Sequence, residues 1–246
     1  MTDLIFLHGV GLDRQIWQPM QAALSDVVTH APDLRGHGAG PKWDGPASLD
    51  GFVSDLWDYA DGLGLDSFAL CGFSLGAMIA QWAAISKPAR ISHLILLSGV
   101  YARMPEQLAG VQARFKEAEL HGPKIMIDAA LARWFTPEFA ANHPENLEQT
   151  RTRLMDNNVA QFMRSYQVFA FEGTQIDGRL KEIKAPTLVA TGGLDTGSTT
   201  EMAHKMASEI PEAQCTIYED VAHMLPLQKP DELAVSIMRL LGKETK

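Results

Sequence analysis

The sequence predicts an α/β fold: a mostly parallel sheet with helices on both faces and a helical cap inserted over one end. Three observations carry this. Short apolar runs alternate with amphipathic stretches over residues 1–100, the alternation stops between 101 and 176, and it resumes over 177–246. The expected organisation is therefore a core made of 1–100 and 177–246, with 101–176 as a cap.

The first strand is Leu4-Ile5-Phe6-Leu7, which runs straight into His8-Gly9-Val10-Gly11, a loop with so little side-chain bulk that backbone amides can approach a ligand. Ile16, Trp17, Met20 and Leu24 then recur at helical spacing between Arg14 and Leu24. A second strand, Val27 to Ala31, leads into Pro32-Asp33-Leu34-Arg35-Gly36-His37-Gly38, where Asp33 and Arg35 read as a loop-bracing pair and His37 as a loop residue. Leu49, Phe52, Val53, Leu56, Ala60 and Leu63 mark another amphipathic helix.

Next comes the run Ser67-Phe68-Ala69-Leu70-Cys71, then Gly72-Phe73-Ser74-Leu75-Gly76, then a helix-compatible stretch from Ala77. Strand, sharp turn and helix in that order are the context of a nucleophile elbow. Small residues at Gly72 and Gly76 let strand and helix close on the turn, and the serine is pushed clear of the sheet in a strained conformation. A strand at Ile91–Leu97 precedes the insertion, which is helix-prone, carries Met, Phe and Trp, and has no β-branched runs. Beyond it, Pro186 to Gly193 ends before Leu194-Asp195, a helix covers Thr200 to Glu209, and Cys215 to Glu219 leads to Asp220-Val221-Ala222-His223. A closing helix runs from Pro230 to Leu241, with Gly242 to Lys246 expected to fray.

Composition narrows the partners. The 246 residues are 46% hydrophobic and 21% charged, with a net charge of -9, which argues against a nucleic-acid surface and against anchorage on anionic lipid. No apolar run reaches membrane-spanning length and the N-terminus lacks a secretory pattern, so a cytoplasmic location is expected. The two cysteines, Cys71 and Cys215, are expected to be free thiols. The histidines show no metal-ligand spacing, so no metal site is expected.

A serine hydroxyl is a weak nucleophile until a base takes its proton, and the base must be steered by a third group. Ser74, Asp195 and His223 follow three different strand ends, and in a parallel sheet those ends converge on one edge. Ser74 is thus the candidate nucleophile, His223 the general base and acid, and Asp195 the group that fixes the imidazole tautomer. Asp220 competes for the last role from the histidine's own loop, and Asp195 is preferred. The amides of Val10 and Leu75 are the candidate oxyanion donors, the second at the positive end of the elbow helix.

Together, His8-Gly9-Val10-Gly11, Asp33-Leu34-Arg35-Gly36-His37-Gly38, the elbow, Asp195 and Val221-Ala222-His223 resemble the α/β-hydrolase superfamily over nearly the whole chain. Ala132-Arg133-Trp134-Phe135-Thr136, with the segment from Ala222-His223 to Pro230-Asp231, resembles the 3-oxoadipate enol-lactonase group and carboxylesterases near it. The resemblance implies the α/β-hydrolase fold, a cap over the serine, and hydrolysis of a small ester or lactone through an acyl-enzyme without a cofactor. A carboxylated substrate would want a cap cation, for which Arg133 and Arg164 are candidates, with Trp134 as a pocket wall. Carbon-carbon bond hydrolysis of ring-cleavage products uses the same triad, and a ligand receptor with little turnover uses the same scaffold.

Family members usually carry an antiparallel hairpin before the first strand, whereas here the His-Gly strand starts almost at once. About six strands are therefore expected, with Val27 to Ala31 on an edge that another subunit could cover.

Overall fold

The computed structural model describes residues 3–243. Its sheet has six strands in the order β2-β1-β3-β4-β5-β6, and every neighbouring pair is parallel. The strands are β1 (Leu4–Leu7), β2 (Thr29–His30), β3 (Phe68–Phe73), β4 (Ile91–Leu97), β5 (Thr187–Gly192) and β6 (Ala213–Tyr218). The expected edge position of the second strand holds, but the strand is only two residues long, and His30 is bonded to Asp3 at 2.7 Å.

Alternation of side chains across the pleat divides the core in two. Ile5, Leu7, Leu70, Leu94, Leu96 and Val189 face one side, where they pack with α2 (Leu49–Gly62), α3 (Leu75–Ser86) and α9 (Thr200–Glu209). Leu4, Phe6, Ala69, Cys71, Ile95, Leu97 and Leu188 face the other, against α1 (Gln18–Ala23), α10 (Leu225–Gln228) and α11 (Pro230–Leu240). Because both faces are covered, the central strands read as unbroken apolar runs. The helix foreseen from Arg14 begins as a 3-10 turn, Arg14–Trp17, capped by Asp13 Oδ1, which accepts from the Gln15 amide.

Between β4 and β5 the chain forms only helices: α4 (Pro105–His121), α5 (Ile127–Trp134), α6 (Pro137–Asn142), α7 (Pro144–Met155) and α8 (Val159–Phe171), joined by short 3-10 turns. Helices α4 and α8 share a small core of their own built from Val111, Phe115, Ala118, Phe162, Tyr166 and Ala170. Trp43 of the core joins them: its indole donates to Ser165 Oγ at 3.0 Å, and its backbone is bonded to the Gln161 side chain.

Two local expectations are corrected. Asp33 and Arg35 do not pair with each other. Asp33 accepts from the Arg14 and Ala39 amides, while Arg35, at the start of a turn, reaches Asp55. The expected fraying also fails at Lys243, whose backbone amide donates to Met238 and whose ammonium donates to Asp26 O at 3.0 Å; Glu244 to Lys246 lie outside the described residues. Both cysteines are free thiols, Cys71 buried and Cys215 half-buried. Among the described residues no helix is long and apolar enough to cross a membrane.

Candidate active site

The turn between β3 and α3 is tight enough to exclude any side chain at two positions. A Cβ on Gly72 would stand 2.2 Å from Gly76 O, and one on Gly76 would stand 2.0 Å from Leu7 O. Ser74, between them, is held at φ 55° and ψ -112°, a conformation that non-glycine residues seldom adopt and that costs on the order of 1–3 kcal/mol. Hydrogen bonds on both sides impose it: the Ser74 amide donates to Leu97 O at 3.0 Å and the Gly76 amide to His8 O at 3.1 Å.

Asp195 and His223 follow β5 and β6. His223 Nδ1 lies 2.6 Å from Asp195 Oδ2, and since a carboxylate only accepts, Nδ1 carries the proton and Nε2 keeps its lone pair. Asp195 Oδ1 accepts from the Gly197 and Ser198 amides at 2.8 and 2.9 Å. Burial alone would raise the Asp195 carboxyl. The His223 imidazole and the two amides outweigh burial and hold the acid below its ordinary range, so it stays ionised. Gly192 lets the loops meet, since a Cβ there would stand 2.1 Å from Ala222 O. The rival Asp220 is turned outward, 71% exposed and paired with Lys229 at 2.9 Å.

Ser74, Asp195 and His223 line one cavity of about 280 Å³ between the sheet edge and the helices that follow β4. Among the described residues the Ser74 hydroxyl and His223 Nε2 carry no hydrogen bond within the protein. Unliganded sites commonly leave this contact open. Val10 lines the same space, and the buried Leu75 begins α3. The Gly11 amide is taken by His37 Nε2 at 2.9 Å and the Leu12 amide by Gly9 O, whereas the Val10 and Leu75 amides have no acceptor among the described residues. Two unspent donors thus remain beside the serine.

Two buried histidines set this loop. His8 Nε2 accepts from the Leu34 amide at 2.9 Å, as His37 Nε2 accepts from Gly11, so each ring is protonated at Nδ1, which donates to a nearby carbonyl. Burial pushes His8 down to about 4 and His37 to about 3; for His37 the neighbouring His8 is the next contribution. His37 is therefore more than a loop residue, and only tertiary contact with Gly11 reveals this. Ser98 was not foreseen either. It sits just past β4 with φ 43°, and its hydroxyl donates to His223 O at 3.0 Å.

Arg133 and Trp134 both line the cavity, and the Trp134 ring lies 5.8 Å from that of His223. Arg164 is not brought there. It projects from the exposed side of α8 and donates to Gly45 O at 2.5 Å. Arg103 and Arg114, which the sequence pattern did not single out, line the cavity instead. Among the described residues no three His, Cys, Asp or Glu side chains gather closely enough to hold a metal ion.

A parallel sheet with a strained serine turn and an acid-histidine pair at its edge defines an α/β-hydrolase architecture. The profile of the alpha/beta hydrolase family matches residues 4–235, and the chain belongs to that family. It is 28% identical over 94% of its length to the (E)-2-((N-methylformamido)methylene)succinate hydrolase of Acinetobacter baylyi, covering 86% of that protein. It is 26% identical to 3-oxoadipate enol-lactonase 1 of the same organism, over 93% of this chain and 84% of the other. The enol-lactonase structure from Burkholderia xenovorans LB400 superimposes with a TM-score of 0.89 at 23% identity, covering 98% of this chain and 92% of that one, a likeness of fold.

Proposed function

We propose that the protein is a serine hydrolase that cleaves a small carboxylic ester or lactone through an acyl-enzyme, with residues 101–176 acting as a cap over the core. The observation that carries this reading is the convergence of Ser74, Asp195 and His223 on one cavity beside two unspent amides. The strained turn presents Ser74 Oγ to the substrate carbonyl carbon. His223 Nε2 takes the hydroxyl proton as the bond forms, and Asp195 stabilises the resulting imidazolium. The tetrahedral oxyanion is received by the Val10 and Leu75 amides, each such donor being worth about 3 kcal/mol in comparable sites.

Collapse of this intermediate passes the His223 proton to the leaving alcohol, which for a lactone stays attached to the acyl chain. Water, activated by the same imidazole, then releases the acid. Trp134 walls the pocket, and Arg133 supplies a cation for a carboxylate on the substrate. The enol-lactonase name of one Acinetobacter relative fits this class, while the other is named for a formamido-substituted succinate.

The test is a screen of short esters and lactones, with and without a carboxylate, on the wild type and Ser74→Ala, together with labelling by a fluorophosphonate. One equivalent of label on the wild type and loss of turnover in a folded Ser74→Ala protein are expected. Turnover retained by Ser74→Ala would remove the serine from the mechanism.

A further inference from the structure

The cavity beside Ser74 collects more positive charge than a single substrate carboxylate at Arg133 would use. Arg103, Arg114 and Arg133 all line it, with Lys124 nearby, in a chain whose net charge is -9. Apart from Asp195, which is committed to His223, the only lining carboxylate among the described residues is Glu106. Among the described residues none of the three guanidinium groups has a carboxylate within 4.0 Å.

Their existing contacts leave most donors unspent. Arg103 gives one hydrogen bond to Phe169 O at 3.0 Å and rests 4.5 Å over the Phe169 ring. Arg133 gives one to Ala129 O in its own helix, and the charge of Arg114 is felt at the Tyr166 hydroxyl. Each guanidinium offers five N–H groups in a planar fork suited to carboxylate oxygens. Arg103 and Arg133 both feel the charge of Arg114. Burial, and after it the charge of Arg114, pulls Arg103 down to about 10 and lowers Arg133 as well. Like charges gathered without counter-ions are relieved when an anion enters, and three forks exceed what one carboxylate can accept.

We propose that Arg103, Arg114 and Arg133 form a seat for a dicarboxylate, so that the substrate carries two carboxylate groups besides the carbonyl that Ser74 attacks. The last clause rests on the hydrolase reading; the anion seat itself does not. Val111, Phe162 and Phe169 add apolar walls that suit the short carbon chain joining the two acids.

The site is tested on Ser74→Ala protein by calorimetric titration with butanoate, methylsuccinate and butyl phosphate. Methylsuccinate is expected to bind at least about tenfold more tightly than butanoate. In the same background Arg114→Gln and Arg133→Gln should each cut that ratio severalfold. Both residues are exposed, so these proteins should keep the parent's unfolding temperature, whereas Arg103 is tied into the helical segment and is left intact. Equal binding of the two acids, a ratio unmoved by either arginine substitution, or a preference for butyl phosphate would overturn the proposal. A wild type that hydrolyses nothing but keeps the methylsuccinate preference loses the hydrolase reading and retains the seat. One that hydrolyses neutral esters with no such preference does the reverse.

Discussion

The carbonyl oxygen of Trp134 accepts hydrogen bonds from the backbone amides of His223 and Met224, each at 3.1 Å. Carbonyls in the last turn of a helix have no partner inside the helix, and α5 spends one of them on the loop that carries the candidate base. The helical segment therefore fixes the histidine as well as lining the cavity that holds Ser74. On its other sides, Ser98 holds the His223 carbonyl, Asp195 holds Nδ1, and the Phe73 ring lies 5.0 Å away.

Truncating the ring at Trp134 leaves those backbone bonds in place but opens space beside the imidazole. Trp134→Ala is expected to lower kcat by on the order of 10- to 100-fold, as small misplacements of reacting groups do, and Trp134→Phe should restore most of it. Stopped-flow or steady-state hydrolysis of an ester found in the screen measures this. Unchanged kcat in Trp134→Ala would mean that the ring does not steer His223.

Asp195→Asn tests the tautomer argument. The amide oxygen would stay with the Gly197 and Ser198 amides, turning the NH2 group toward His223 and making Nδ1 an acceptor. The proton then sits on Nε2, which can no longer take one from Ser74. A fall in kcat of about 10⁴-fold is expected with the fold intact by circular dichroism. Asp220→Asn, altering an exposed carboxylate paired only with Lys229, should leave kcat within about twofold, since surface ion pairs contribute little.

The glycines separate local from global requirements. Gly76→Ala would drive a Cβ into Leu7 O at 2.0 Å, backbone that cannot move without breaking β1. Loss of more than about 4 kcal/mol is expected, enough to prevent folding in many domains. Gly62→Ala is the contrast. It lies in α2 with nothing within 4 Å of the added methyl, and it should stabilise the protein by about 0.4–1 kcal/mol in urea titrations.

How far the chain could be read in advance follows from the same geometry. The elbow is legible because its constraint is steric and local: two glycines flank one serine between an apolar run and a helix. Ser74, Asp195 and His223 can be nominated together because strand ends of a parallel sheet share an edge, so chain order stands in for space. The arginines differ. Arg114 and Arg164 both lie on amphipathic helices, and which of them faces the cavity depends on how α4 and α8 pack against each other, a relation absent from the periodicity of either helix. His37 shows the same limit, since its partner Gly11 is 26 residues away in a loop without regular structure.

That His37–Gly11 bond also predicts how the protein responds to acid. His8 and His37 are buried as neutral rings, pushed down to about 4 and about 3, whereas in the unfolded chain each titrates near the ordinary 6.5. Between 6.5 and 4 the unfolded state thus binds protons that the folded state refuses. The histidine contribution to stability should be level above about pH 7 and fall as pH drops through that window, by at most about 1.4 kcal/mol per pH unit for each histidine. Asp195 acts later: held below its ordinary 3.8, it costs stability only as pH falls through that lower range. Urea midpoints at pH 7 and 4.5 therefore report chiefly the two histidines. His37→Gln keeps an acceptor for the Gly11 amide but cannot be protonated, so its midpoint should fall less than that of the wild type over the same interval. A wild-type midpoint that does not move between pH 7 and 4.5 would show that the pair is not held neutral by burial.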